Sequence, residues 1–265
     1  MTPDERRGAL EQIAAEVSAC TACRLHEGRG RAVPGEGDPD TEVVFVGEGP
    51  GFNEDREGRP FVGRAGGLLV RLLGSIGWQR EDVFIANVVK CRPPDNRDPE
   101  QDEIDACAPF LRRQLEVLDP AVVVTLGRFS MGAFRPGARI GAVHGTTAPI
   151  DPATGAADAT TFSMYHPAYA LRNPAVERES FEDMAKVPAV LVRAREHRAT
   201  AGAIAPANLM STAAVATEPV ATAAVAPAAI APAAIAIAPV APPPSIASPS
   251  AAERTADDAP QLTLF

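Results

Sequence analysis

Residues 43–76 read VVFVGEGPGFNEDREGRPFVGRAGGLLVRLLGSI, and three kinds of sequence succeed one another within them. Val43, Val44, Phe45 and Val46 form a short unbroken apolar run, the pattern of a strand buried on both faces. Residues 47–67 then carry seven glycines, two prolines, four acids and three arginines, a composition that makes a loop rather than a packed element. Residues 68–76 are apolar again and read as a helix ending at Gly77. A glycine-rich loop after a buried strand is where an open α/β sheet binds its ligand. Connections of this length are often functional. The competing reading is a solvated surface loop with ordinary turn glycines.

Outward from this stretch, strand and helix patterns alternate. Residues 4–19 form an amphipathic helix, with Leu10, Ile13, Ala14 and Val17 at helical spacing and Asp4 and Glu5 in its first turn. Residues 24–41 are a polar loop. Strands are expected at 42–47, 83–89, 121–126 and 160–164, with a further short strand before the turn at 151–158. Helices are expected at 64–76, 99–118, 128–134 and 175–197. Asp98 would cap the second of these, with Pro99 in its first position, and Pro188 should kink or break the last. Residues 137–145 have no regular pattern. The alternation predicts a three-layer α/β/α fold around a central, mostly parallel four-stranded sheet.

From residue 199 to 260 the chain is alanine, proline, valine and isoleucine, with little charge and no aromatic residue. Such a stretch reads as an extended, disordered, proline-stiffened linker. The expected organisation is a catalytic domain at 1–198, the linker at 199–260, and a short apolar ending at 261–265.

The formal net charge is −9, and residues 1–198 hold 30 acids and 24 bases. This balance argues against a broad basic surface. Contact with nucleic acid must come from local clusters and be salt-sensitive. The charged N-terminal residues are unlike a secretory leader, and no apolar run free of breakers reaches 18 residues. A soluble cytoplasmic protein without membrane contact is expected, and disulfides are not.

The four cysteines are Cys20 and Cys23, just past the first helix, and Cys91 and Cys107, which bracket the CRPP loop and part of the following helix. Four thiolates can hold a zinc ion or an iron–sulfur cluster. The wide second spacing favours a cluster over a zinc ribbon, and the absence of a fifth cysteine favours a site. The alternative is four unrelated thiols.

Three separated motifs, GEGPGFNEDREGRPFVGRAGGLL, NVVKCRPPDNRDP and YHPAYALRNP, occur in order with these cysteines. Together they resemble the family 4 uracil-DNA glycosylases over about residues 10–195. The resemblance implies a [4Fe–4S] cluster on Cys20, Cys23, Cys91 and Cys107. It also implies hydrolysis of the N-glycosidic bond of deoxyuridine, after the nucleotide is flipped out of uracil-containing DNA. Glu48 matches the position tied to the attacking water, and Phe61 matches the uracil-stacking position, beside Gly47 and Gly49. Asn87 matches the amide that pairs with the uracil edge, and His166 the donor to uracil O2. Arg64, Leu171 and Arg172 are the expected DNA contacts, with Arg56, Arg59 and Arg128 as further candidates for phosphates.

Two positions depart from the family pattern. Gly49 stands where alanine is usual, leaving apparent room beside the uracil pocket. Ala170 stands where leucine is common, four residues after His166; a wedge there would be blunted, and Leu171 or Tyr169 would replace it. No KRRIH-like insertion follows Asn87, so turnover without a covalent adduct is expected. Gln261, Leu262, Leu264 and Phe265 resemble the bacterial sliding-clamp-binding pentapeptide, QL-polar-LF. A monomer working at the nucleoid is expected. The competing functional reading is a non-catalytic DNA-lesion binding protein of the same fold. A dinucleotide enzyme is disfavoured because residues 47–51 fail the GxGxxG spacing.

Overall fold

The computed structural model describes residues 1–204. In chain order the elements are α1 (Pro3–Ala19), α2 (Leu25–Gly28), β1 (Glu36–Gly37), β2 (Val43–Gly47), α3 (Phe52–Glu57), α4 (Arg64–Ser75), β3 (Phe84–Asn87) and α5 (Gln101–Leu118). They continue with β4 (Val122–Leu126), α6 (Arg128–Phe134), α7 (Ile140–Val143), β5 (Thr147–Pro149), β6 (Thr160–Met164), α8 (Pro167–Ala170), α9 (Pro174–Met184) and α10 (Val187–Ile204).

The sheet order is β1-β3-β2-β4-β6-β5. Its four central strands are parallel. The sheet has six strands rather than four, because β1 and β5, the latter being the short strand expected before the turn at 151–158, add antiparallel edges. β1 arises within the loop expected at 24–41, where two residues pair with Phe84 and Ile85.

Alternation along β2 builds the layers. Val43 and Phe45 face a core with Leu68, Leu69, Leu72, Met184 and Val190, contributed by α4, α9 and α10. Val44 and Val46 face the other core with Leu111, Leu115, Leu118 and Phe134, from α5 and α6. Every residue of β2 and β4 is buried, as expected of parallel strands covered on both faces. Burial of each large apolar side chain here contributes about 1.5–3 kcal/mol.

Several local expectations are corrected. The loop at 47–67 contains a helix, α3, because Glu54 reaches back to the Gly51 N–H (3.1 Å) and so caps its own first turn. α5 begins at Gln101, capped at Glu100 by the Glu103 carboxylate (2.8 Å), and Asp98 pairs instead with Arg128. One helical turn, α7, forms within 137–145. As expected at Pro188, the final helix is broken, into α9 and α10, with Pro188 in the first turn of α10. α10 continues to Ile204, past the boundary expected at 198. The rest of the expected linker and the 261–265 pentapeptide lie outside the described residues. Among the described residues, no helix is long and apolar enough to cross a membrane.

Candidate active site

The chain leaves β2 towards β3 on one side and β4 lies on the other, so the sheet order reverses beside β2. The crevice at the carboxyl ends of strands on either side of such a reversal is the ligand position of open α/β sheets. Four strand ends deliver residues to it: Glu48 just after β2, Asn87 from β3, Gly127 and Arg128 just after β4, and His166 just after β6. They line a cavity of about 800 Å³ together with Phe61, Tyr165, Tyr169 and Arg172, a size suited to a small ligand.

Gly47, at the end of β2, lets Phe61 and Asn87 approach one another. A Cβ there would lie 2.5 Å from Asn87 Oδ1 and 2.6 Å from Phe61 Cζ. The ring and the amide therefore converge over a bare Cα, and no other residue fits between them. Asn87 is 2% exposed, and its Oδ1 is buried without a hydrogen-bond partner. A buried acceptor without a partner is costly, and this one sits where a ligand can supply the donor.

Phe61 is held in the left-handed region, at φ 52°, a conformation costing on the order of 1–3 kcal/mol in a residue with a Cβ. Two side chains impose it. Arg80 donates to the carbonyl of Phe61 (2.9 Å) and to that of Pro60, and is itself braced by Glu36. Glu54 Oε1 accepts from the N–H groups of Val62 (3.0 Å) and Gly63 (2.8 Å). Gly66 completes the fit, since a Cβ there would overlap the Phe61 carbonyl.

His166 caps α8: its Nδ1 accepts the Ala168 N–H (3.2 Å). The proton of the neutral ring must then sit on Nε2. Its ring lies 5.8 Å from that of Phe61. Burial pushes the His166 pKa down to about 4, so the ring is neutral at ordinary pH. Gly127, at φ 91°, admits it, since a Cβ there would stand 2.8 Å from His166 Cβ. Glu48 is partly buried, and its carboxyl is raised above the usual range by that burial and by Asp98, with Arg128 opposing. Asp98 and Arg128 come from the segments after β3 and β4, the two strands flanking β2, and their ion pair spans the strand end that carries Glu48.

The four cysteines surround one small apolar hollow, with Val17, Ala22, Ala106 and Phe110 in its wall. Polar hydrogens point at the sulfurs: Arg29 donates to Cys91 Sγ (3.2 Å), the Lys90 N–H to Cys107 Sγ (3.2 Å), and the Ala22 N–H to Cys20 Sγ (3.4 Å). Burial pushes the Cys107 thiol up to about 11 and the Cys91 thiol up as well. Among the described residues, no group of three or more His, Cys, Asp or Glu side chains is arranged to hold a metal ion. The donor set suits a sulfur-ligated cluster, since N–H groups directed at sulfur are what such a centre uses to spread its charge.

The model of the uracil DNA glycosylase superfamily matches residues 34–187. The type-4 uracil-DNA glycosylase of Thermotoga maritima is 48% identical over 183 residues, covering 68% of this chain and 94% of the relative. The chain belongs to the type-4 uracil-DNA glycosylases. Those of Saccharolobus solfataricus (48% identity, 69% of this chain, 86% of the relative) and Sulfurisphaera tokodaii (46%, 68% and 83%) are similar to it over the same extent.

In this type-4 chain the two departures look different once folded. The room expected beside Gly49 is occupied by Val89, whose Cγ2 would lie 2.7 Å from an added Cβ. Ala170 is fully buried in the core, so this position faces inward and no side chain here reaches DNA. Leu171 (40% exposed) and Tyr169 (46% exposed) are the outward apolar side chains of the segment. Of the arginines, Arg59 is bonded to Glu36, Arg56 to Glu57 and Arg128 to Asp98. Arg64 and Arg172 are exposed and form no ion pair among the described residues. Sequence reasoning missed Glu54, Arg80 and Lys90. Glu54 lay within a motif, but Arg80 lies outside all three, and nothing local marks it as a partner of Phe61.

Proposed function

We propose that this chain extrudes deoxyuridine from DNA into the cavity lined by Phe61 and Asn87 and hydrolyses its N-glycosidic bond, the first step of base excision repair. Membership of the type-4 uracil-DNA glycosylases supports the activity. The convergence of the Phe61 ring and the unpaired Asn87 Oδ1 over Gly47 supports the base. Uracil stacks on Phe61. Its N3–H donates to Asn87 Oδ1 and its O4 accepts from the Asn87 amide, whereas cytosine presents an acceptor and a donor at those two places.

Cleavage leaves a uracil anion and a sugar with positive character at C1′. The Nε2–H of neutral His166 donates to uracil O2 as negative charge builds there, stabilisation at the atom where charge develops. The Glu48 carboxylate orients a water at C1′ and stabilises the positive sugar. Water attacks as the glycosidic bond breaks, and the products are an abasic site and free uracil. Leu171 fills the vacated stack, and Arg64 and Arg172 hold phosphates.

Cys20, Cys23, Cys91 and Cys107 would hold a [4Fe–4S] cluster, which when bound would cross-link the end of α1, the loop after β3 and α5. On sequence alone, a linker running to residue 260 and a sliding-clamp ligand at 261–265 follow the glycosylase domain, which extends past residue 198 along α10 to Ile204. Such a tether would raise the local concentration of the enzyme at the clamp. Deleting residues 261–265 should abolish clamp binding and leave excision from short oligonucleotides unchanged.

The test of the activity is incubation with an oligonucleotide holding one uracil, with free base identified by mass and the abasic site cut by alkali. Release of uracil, none of cytosine from a matched control, and no protein–DNA adduct on a denaturing gel are expected. Intact DNA bound tightly by the protein would contradict it.

A further inference from the structure

We propose that Lys90 is a positioning residue for base recognition: it fixes the Asn87 amide through the Asn87 main-chain carbonyl and fastens it to the wall of the cysteine hollow. This rests on the reading of Asn87 as the residue that meets the uracil edge.

Lys90 lies three residues beyond Asn87 and is 1% exposed. A buried ammonium is tolerated only when its donors are used. Nζ donates to the Asn87 carbonyl (2.9 Å) and to Gln114 Oε1 (2.7 Å). Gln114, also buried, passes the connection on by donating from Nε2 to the Pro34 carbonyl (2.7 Å). The main chain of Lys90 is anchored as well. Its N–H donates to Cys107 Sγ (3.2 Å), and its carbonyl accepts from the Val33 N–H (2.8 Å). One residue thus joins the end of β3, two positions on α5, and the segment leading into β1.

The strand geometry explains why Asn87 needs this support. Val88 turns its N–H to the Gly47 carbonyl on β2 (3.0 Å). By strand alternation, Asn87 turns its own carbonyl to the opposite edge. There β1 pairs only with Phe84 and Ile85 and stops short of Asn87. Lys90 Nζ takes the place of the missing ladder partner. The ammonium forms no ion pair among the described residues, and its bonds go to neutral oxygens. Such a cation adds little to stability compared with an apolar side chain of the same shape. What it supplies is direction, at the residue whose amide must meet the base.

The test compares Lys90→Met, Asn87→Ala and the double variant, at equal iron content per chain, by single-turnover release of uracil. Lys90→Met should lower kcat/KM on the order of 10- to 100-fold, the effect of misplacing a recognition group. In the Asn87→Ala background the same change should cost less than about 2-fold, because the residue acts through Asn87. Gln114→Leu should show the same non-additivity, and it provides the comparison if Lys90→Met does not fold. Losses that multiply in both pairs would reduce Lys90 to a packing residue and overturn the proposal. Wild-type excision by Asn87→Ala alone would overturn the reading of Asn87 first, and this proposal with it.

Discussion

A methyl group built on Gly49 would stand 2.7 Å from Cγ2 of Val89, closer than two carbons can pack. Val89 is fully buried, so the space an alanine would use is already filled. The glycine matches its neighbour and does not enlarge the cavity. Gly49→Ala should therefore destabilise the fold by about 1–3 kcal/mol through overpacking, seen as a lower thermal midpoint. Gly49→Ala with Val89→Ala should recover most of the loss. The added methyl points at Val89 and Pro93, so discrimination between uracil and other bases should not change. A single variant as stable as the parent would contradict this pairing.

Phe61 offers a second test. Its left-handed backbone is held by Arg80 from one side and Glu54 from the other. Arg80→Met removes the first hold. The strained residue should relax towards negative φ, carrying its ring away from the base. A fall in kcat/KM on the order of 10- to 100-fold is expected, with a larger effect on KM than for His166→Ala. An unchanged KM would show that Gly66 and Glu54 suffice to fix the ring.

The pH dependence separates His166 from Glu48. His166 titrates near 4 in the folded chain against an ordinary 6.5. Between these values the unfolded chain takes up a proton that the folded chain refuses. Stability should thus fall as pH drops from about 6.5 towards 4, with no such contribution to the slope above 6.5. His166→Asn should flatten the slope in denaturant titrations across that window. The acid limb of kcat/KM should belong to Glu48 and lie above the ordinary carboxylate range, because burial and Asp98 raise it. Asp98→Asn removes one raising charge and leaves Arg128 in place, so the limb should move to lower pH.

Contacts to DNA can be told apart by salt. Arg172 lines the cavity mouth and Leu171 projects beside it. Arg172→Ala should weaken binding and reduce the slope of log K against log salt by about 1. Leu171→Ala should leave that slope alone and slow excision from duplex more than from single strands, since only a duplex has a stack to be wedged. Equal effects on both substrates would remove Leu171 from the role of wedge.

Much of this architecture was legible because it depends on local pattern. The apolar run at 43–46 is buried on both faces as a central parallel strand must be, and the helix expected at 128–134 has those bounds in the structure. Less could be read where long-range contacts decide the outcome. β1 is two residues long and exists only because β3 offers it an edge. Asp98 resembles a helix cap by position, yet Glu103 captures the Glu100 N–H and leaves Asp98 for Arg128. Within the site, Glu48, Phe61, Asn87 and His166 fell in motifs, whereas Arg128 and Ile140, which also line the cavity, did not. The side chains that hold Phe61 and Asn87 were less visible: Arg80 is 19 residues from the carbonyl it grips, and Lys90 is 24 from its partner Gln114. Residues 170 and 171 show the same limit, since which of them faces outward depends on how α8 packs against α4 and α9.

The most direct measurement of the central claim is single-turnover release of uracil from one labelled duplex by the parent chain, Glu48→Gln and His166→Ala side by side. A functional parent, with both variants slowed by at least about 100-fold while still binding the duplex, is the predicted result. Those losses would place the water-orienting carboxylate and the leaving-group donor at the strand ends described above. Undiminished excision by either variant would contradict the assignment of that residue, and undiminished excision by both would mean that the reaction takes place elsewhere on the molecule.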